Sequence, residues 1–186
     1  MSASRPESTL LAALLGSEAA REQHPSALEE EVVALFDHFR ERIFRYLLSF
    51  GLPVSDCEEL IQETFLALFQ HLRRGRSRTN LPGWLFRVAH NLALKKRQRS
   101  RTDFVDLTDS VADPAPNPED QSVSNQARKR LIAVFEALPE QNRRCLALRA
   151  EGMRYREIAQ VLDMSLGAVS LALTRSLARI ARAAER

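Results

Sequence analysis

The sequence predicts an all-α protein built as two small helical domains, on three grounds. The chain of 186 residues holds only six glycines and is rich in Leu, Ala, Glu and Arg, which lose little rotamer freedom in a helix. Apolar residues recur at three- and four-residue steps, the stripe of a helix that buries one face. Helix start and stop signals punctuate those stripes.

The first predicted helix opens on a capping box, Ser26 with Glu29, and closes at Gly51 ahead of Pro53. Its stripe is Val32, Leu35, Phe36, Phe39, Ile43, Tyr46, Leu47 and Phe50. A second capping box, Ser55 with Glu58, opens the next helix, whose stripe is Leu60, Ile61, Thr64, Phe65, Leu68 and Leu72 and whose end is Gly75. After the loop "GRSRTNLPG", Pro82 sits near the first turn of a third helix running through "WLFRVAHNLALKKRQRS". "NQARKRLIAVFEAL" forms a fourth, with Leu131, Val134, Phe135 and Leu138 on one face, and Pro139 breaks it. "PEQNRRCLALRAEG" makes a fifth that ends at Gly152. "RYREIAQVL" and "SLGAVSLALTRSLARIARAAER" then have helix-turn-helix spacing: small Ala159 in the first helix, Asp163 at the turn and Val169 as buried anchor of the second. The turn position needs positive φ and usually carries Gly, so Asp163 is expected in the left-handed region.

The net charge of +3 conceals a sorted distribution. Residues 1–31 carry six glutamates against two arginines. From Arg73 to Arg101 there are ten cations and no acid; from 102 to 120 there are six acids and no base. A dense basic block binds polyanions because each neutralised phosphate releases condensed counterions, so nucleic acid is the partner it suits; a solvated helix face is the plainer alternative. The acidic stretch, rich in Pro and poor in apolar side chains, cannot offset its ordering entropy and is expected to be an extended linker. The predicted organisation is an N-terminal extension at 1–27, a first domain at 28–101, an acidic linker at 102–125 and a second domain at 126–186.

Several function classes are disfavoured. Cys57 and Cys145 lie far apart without a CxxC pair, which suits two packing residues in a reducing compartment and argues against zinc or a disulfide framework. The apolar run "LLAALLG", Leu10 to Gly16, is too short and too weakly basic at its start for a signal peptide, so the chain is expected in the cytoplasm and away from membranes. His24, His38, His71 and His90 show no ligand spacing, and neither a glycine-rich phosphate loop nor a Ser-His-Asp grouping is present. No enzyme activity, metal or cofactor is expected.

Three motifs carry a family resemblance. "DCEELIQETFLALFQHL" from Asp56, "WLFRVAHNLALKKRQR" from Trp84 and "LPEQNRRCLALRAEGMRYREIAQVLDMSLGAV" from Leu138 stand in that order around the acidic stretch. Together they resemble the extracytoplasmic-function (ECF) sigma factors, small bacterial transcription initiation factors with a region 2 and a region 4 domain. The resemblance covers nearly all of the chain after about residue 28. It implies two partners, RNA polymerase core (β′ clamp and β flap) and promoter DNA, and leaves an anti-sigma factor open as a third.

The resemblance also implies roles. Glu58, Glu59, Gln62, Glu63 and Phe65 would dock on the β′ clamp helices, with Leu60 and Phe65 expected in the core in either case. Arg87, Asn91, Lys95, Lys96 and Arg97 would engage the minus-ten element. The loop from Gly75 to Leu81 would capture a base flipped from the melted strand, with Arg76, Arg78 and Asn80 supplying cations and polar groups. Asn80 has a helix N-cap as its competing role, and Trp84 is read as a core anchor ahead of a stacking platform.

The recognition helix departs from the family pattern, because no cation follows Gly167, Ala168 and Val169 until Arg175. Ser165, Ser170 and Thr174 remain as hydrogen-bonding groups, Leu166 and Leu171 as contacts for thymine methyls, and Arg143, Arg144, Arg175 and Arg179 as backbone contacts. Weak minus-thirty-five readout is therefore expected. A helix-turn-helix regulator acting without polymerase is the alternative, and the region 2 motifs are what would separate the two. Linker length leaves both a compact and a splayed free protein open.

Overall fold

The computed structural model describes residues 26–103 and 123–184, which form seven helices and no strand. The N-terminal extension, with Leu10 to Gly16, and most of the acidic linker lie outside the described residues. In chain order the helices are α1 (Ala27–Leu48), α2 (Val54–Arg73), α3 (Leu81–Asp103), α4 (Val123–Glu136), α5 (Glu140–Ala150), α6 (Tyr155–Leu162) and α7 (Leu166–Ala184).

The first three helices pack on one another, each touching the other two. The capping box that opens α1 forms as expected: Glu29 N–H donates to Ser26 Oγ at 3.3 Å and Ser26 N–H to Glu29 Oε2 at 2.7 Å. The second one does not form. α2 starts at Val54 with Pro53 as its N-cap, so Ser55 falls inside the first turn, where its hydroxyl is past the capping position. The predicted stripes supply much of the core: Ile43, Tyr46, Leu47 and Leu68 are fully buried, and Cys57, Leu85 and Phe86 join them. Tyr46 packs edge-on against Phe50 and Phe86, and its hydroxyl lies 2.7 Å from His90 Nδ1. Burial pushes the His90 pKa down to about 4, with the Arg144 charge adding to the effect, so the imidazole is neutral near pH 7.

The last four helices form a second unit in which α4, α5 and α6 all lie on α7. Asp163 adopts φ 52° and ψ 49° at the turn between α6 and α7, the left-handed conformation expected of it. Met164 N–H donates to the Ala159 carbonyl at 2.9 Å, and Val169 is completely buried. Cys57 and Cys145 are free, and burial raises each thiol to about 11, as suits packing residues.

The two units also touch. α6 packs on α3 and α5 on α1, so Met153, Ile158 and Val161 share one apolar core with Phe39, Leu85 and Phe86. No single helix among the described residues is long and apolar enough to cross a membrane.

Candidate nucleic-acid and polymerase interface

On α2, the residues of "EELIQETF" turn outward and inward in alternating pairs. Glu58, Glu59, Gln62 and Glu63 are exposed, while Leu60, Ile61 and Thr64 are buried beneath them. Phe65 is 6% exposed and meets Phe36 edge-on at 4.9 Å. It supports this surface from below and does not form part of it. Leu66 lies beside the acids at 58% exposure, an apolar edge that sequence reading passed over. Glu59 is paired with Lys96 Nζ at 2.6 Å, and Asp56 lies 3.3 Å from the same ammonium.

On α3, Arg87, Asn91 and Lys95 are exposed at successive four-residue steps, one row along the helix surface. Lys96 and Arg97 are half-buried and already paired, Lys96 with α2 and Arg97 with Glu140 at 2.7 Å. Among the described residues, the cations of α3 named here thus divide into an exposed row with no ion pair and a structural pair. Trp84 is half-buried, its ring 4.6 Å from that of His71.

The loop between α2 and α3 is held at several points. His71 Nε2 lies 2.8 Å from the Ser77 carbonyl. Thr79 N–H donates to Ser77 Oγ at 3.1 Å, and Arg78 forks onto the Glu31 carboxylate of α1 at 3.1 Å. Arg76 is exposed. Asn80 takes φ 54° and its Oδ1 accepts from Gly83 N–H at 3.2 Å, so it caps α3. A Cβ at Gly83 would come within 2.5 Å of the Asn80 amide nitrogen, so this cap needs glycine three residues on. Sequence reading missed Glu31 and His71, whose partners lie in another element or across a turn with no local motif to announce them.

On α7, Ser165 caps the helix by accepting from Ala168 N–H at 3.2 Å. Val169, Ala172, Leu173 and Ser176 face the core. The outer face carries Leu166 (48% exposed), Ser170, Leu171 (49%), Thr174, Arg175 and Arg179. The recognition helix is therefore bare in three dimensions as well as in sequence. Arg143 Nη1 donates to the Glu136 carbonyl at 2.7 Å. Arg144, with a side chain only 14% exposed, sits 4.6 Å from the centroid of the Phe50 ring. Here that arginine serves the contact between the two units.

Residues 35–102 match the family model for sigma-70 region 2, and residues 128–180 match that for sigma-70 region 4. The chain is 28% identical over 142 residues to the ECF RNA polymerase sigma-E factor of Escherichia coli (strain K12), covering 70% of this chain and 74% of that protein. It is 30% identical over 134 residues to the probable RNA polymerase sigma factor RfaY of Xanthomonas campestris pv. campestris, covering 68% of this chain and 34% of that one. Among solved structures, CnrH, in complex with the cytosolic domain of CnrY, aligns with a TM-score of 0.57 at 22% identity over 81% of this chain and 85% of that one. The sigma factor RpoE of Bartonella quintana, crystallised with the anti-sigma factor NepR, gives 0.57 at 18% identity over 82% and 97%. At such identities the structural likeness speaks for the fold. A region 2 domain distinguishes the chain from a helix-turn-helix regulator that works without polymerase. With both domain models matched in order and sigma factors as relatives, this chain belongs to the ECF sigma factors, the transcription initiation factors of the sigma-70 family.

Proposed function

We propose that region 2 of this sigma factor supplies most of its promoter affinity and sequence choice, while region 4 contributes a weak, largely apolar reading of the minus-thirty-five element. The observation that carries this reading is the contrast between two exposed helix faces. Arg87, Asn91 and Lys95 line α3, whereas Leu166, Ser170 and Leu171 open α7. A bidentate Arg or Lys contact to guanine provides about 1–3 kcal/mol of discrimination, and the first two turns of α7 have no side chain able to make one. Leu166 and Leu171 meet thymine methyls, and Arg175 and Arg179 hold phosphates.

In the same reading, Glu58, Glu59, Gln62 and Glu63 dock on the β′ clamp of core polymerase with Leu66 as their apolar neighbour. The Gly75–Leu81 loop, braced by His71 and Glu31, receives the flipped base. The protein acts in the cytoplasm, where core polymerase and promoter DNA are. Two similar folds were solved with a second protein bound, the anti-sigma factor NepR in one and the cytosolic domain of CnrY in the other, which supports a partner of that kind here.

The test is transcription from fragmented genomic DNA by bacterial core polymerase with and without this protein, sequencing the new RNA 5′ ends. New starts sharing a defined minus-ten sequence and a degenerate minus-thirty-five are expected. Starts defined chiefly by a strict minus-thirty-five sequence would contradict the assignment.

A further inference from the structure

Region 2 leaves an apolar edge uncovered where α1 and α2 run side by side. The chain turns back at Gly51, and the Phe36–Phe65 and Glu31–Arg78 contacts set the two helices antiparallel. The first turns of α1 therefore lie opposite the last turns of α2. Val33 on α1 is 57% exposed and Leu66 on α2 is 58% exposed, with half-buried Phe36 and Phe69 completing the apolar surface. Cations close its far end. Arg73 lies over the Phe69 ring, 5.7 Å from the centroid, and Arg74 follows it. Both arginines are exposed, and among the described residues neither makes an ion pair.

The sequence just ahead of α1 has the complementary pattern. It reads "STLLAALLGSEAAREQHPS" from Ser8 to Ser26. At the helical period Leu10, Leu11, Leu14 and Leu15 share one face, and Glu18 and Glu22 continue the same stripe. A stripe of about 13 residues interrupted by Gly16 is marginal as an isolated helix in water and needs a surface to pack on. Its reach fits the groove. Pro25 and the Ser26 cap mark the entry into α1, so a helix that folds back from there runs antiparallel to α1. Leu15 precedes Glu22 by as many residues as Val33 follows Ser26, about 10 Å along either helix. Leu11 and Phe36 then stand at nearly the same level, about 15–17 Å from the turn. In this register the leucines meet the apolar surface, while Glu18 and Glu22 come to the end that carries Arg73 and Arg74. Length, spacing and charge agree on one occupant.

We propose that residues 8–22 dock as an amphipathic helix in the groove between the first half of α1 and the second half of α2, with leucines on Val33, Phe36, Leu66 and Phe69 and glutamates on Arg73 and Arg74. The docked segment covers Leu66, beside the acids read above as the clamp contact, so it competes with core polymerase for that edge. The competition rests on the clamp reading; the docking does not.

The test compares four full-length proteins: wild type, Leu11→Glu with Leu14→Glu, Arg73→Glu with Arg74→Glu, and the arginine reversals combined with Glu18→Arg and Glu22→Arg. None of these positions is in the packed core, so the fold of region 2 is retained. Hydrogen exchange at the amides of residues 10–22 is followed by mass spectrometry at several protein concentrations, and affinity for core polymerase is measured in parallel. Wild-type amides should exchange about fivefold more slowly than those of the leucine variant, and that variant should bind core about fivefold more tightly, both as expected if the open form rises from about a fifth of the molecules to nearly all. The arginine reversals should lose the protection and the fourfold variant should regain it. Exchange at one rate in all four proteins would overturn the docking. Protection that grows with protein concentration would place the segment on a second copy of the chain and would overturn it equally. Loss of protection without a gain in core affinity would overturn the competition. A wild type that binds no core polymerase would count against the clamp reading, while the exchange would still decide the docking.

Discussion

Regions 2 and 4 of this sigma factor solve the problem of holding DNA in opposite ways. Region 2 concentrates its cations on one helix and a loop, then spends some of them on its own carboxylates, Lys96 on Asp56 and Glu59 and Arg78 on Glu31, and one, Arg97, on Glu140 of region 4. Region 4 builds the recognition helix on a well-formed turn, with Asp163 left-handed and Val169 buried, yet offers DNA mainly leucine, serine and threonine. The scaffold of a DNA reader and the charge on its reading face can thus be divided. Scaffold geometry is intact in both halves, while exposed cations line α3 in one and are missing from the first two turns of α7 in the other.

Removing the exposed row of region 2 should produce the largest effect. Substituting Arg87, Asn91 and Lys95 together by Ala is expected to lower promoter binding by more than about 100-fold and to reduce the slope of log affinity against log salt by about 2, because two phosphate-facing cations are lost. A titration of holoenzyme on promoter DNA at several salt concentrations reads both. Equal losses from the region 4 substitutions below would break the asymmetry.

On the polymerase side, Glu63 is exposed, one helical turn beyond Glu59. Glu63→Lys is expected to weaken core binding about tenfold while changing thermal stability little, as surface substitutions usually do. Direct binding to core polymerase and a melting curve separate the two.

At the junction of loop and α3, Asn80 invites a finer cut. Asn80→Ala removes a cap and places a Cβ-bearing residue without a compensating bond at φ 54°, and should cost about 1–2 kcal/mol of stability. Asn80→Gly keeps the backbone and should cost only a few tenths. If both variants lose open-complex formation to the same degree, the amide reads DNA. If activity follows stability, the residue is a cap alone.

A pH scan sharpens the contrast in the cores. Because the folded His90 pKa is about 4 and an exposed imidazole titrates near 6.5, the unfolded chain takes the proton first as the solution is acidified. Stability should therefore fall between pH 6.5 and 4, by at most about 1.4 kcal/mol per pH unit from this group. His90→Gln, which retains an acceptor for Tyr46, should flatten that part of the scan. The smallest effect belongs to region 4: Arg175→Ala should reduce promoter output about two- to threefold across sequences, the loss of one exposed backbone contact.

The stripes that build each region were legible because burial repeats with the helical period, and Leu60, Ile61, Thr64, Phe65, Leu68 and Leu72 are buried as read. Asp163 was legible because few side chains tolerate a left-handed backbone. The Ser55–Glu58 box was misread because the pattern is local, whereas Pro53 starts the helix earlier. The contact between the two regions was invisible. Arg45 and Glu151, which pair across it, are 106 residues apart and carry no motif, so Arg144 and Arg97 read as DNA contacts although the fold gives them Phe50 and Glu140.

The division of labour between the regions can be read in one measurement. Holoenzyme would transcribe a template library randomised independently at the minus-ten and minus-thirty-five positions, and the sequences yielding RNA would be counted. Strong selection at minus-ten and shallow, A·T-leaning selection at minus-thirty-five are expected. Selection at minus-thirty-five as strong as at minus-ten would contradict that division.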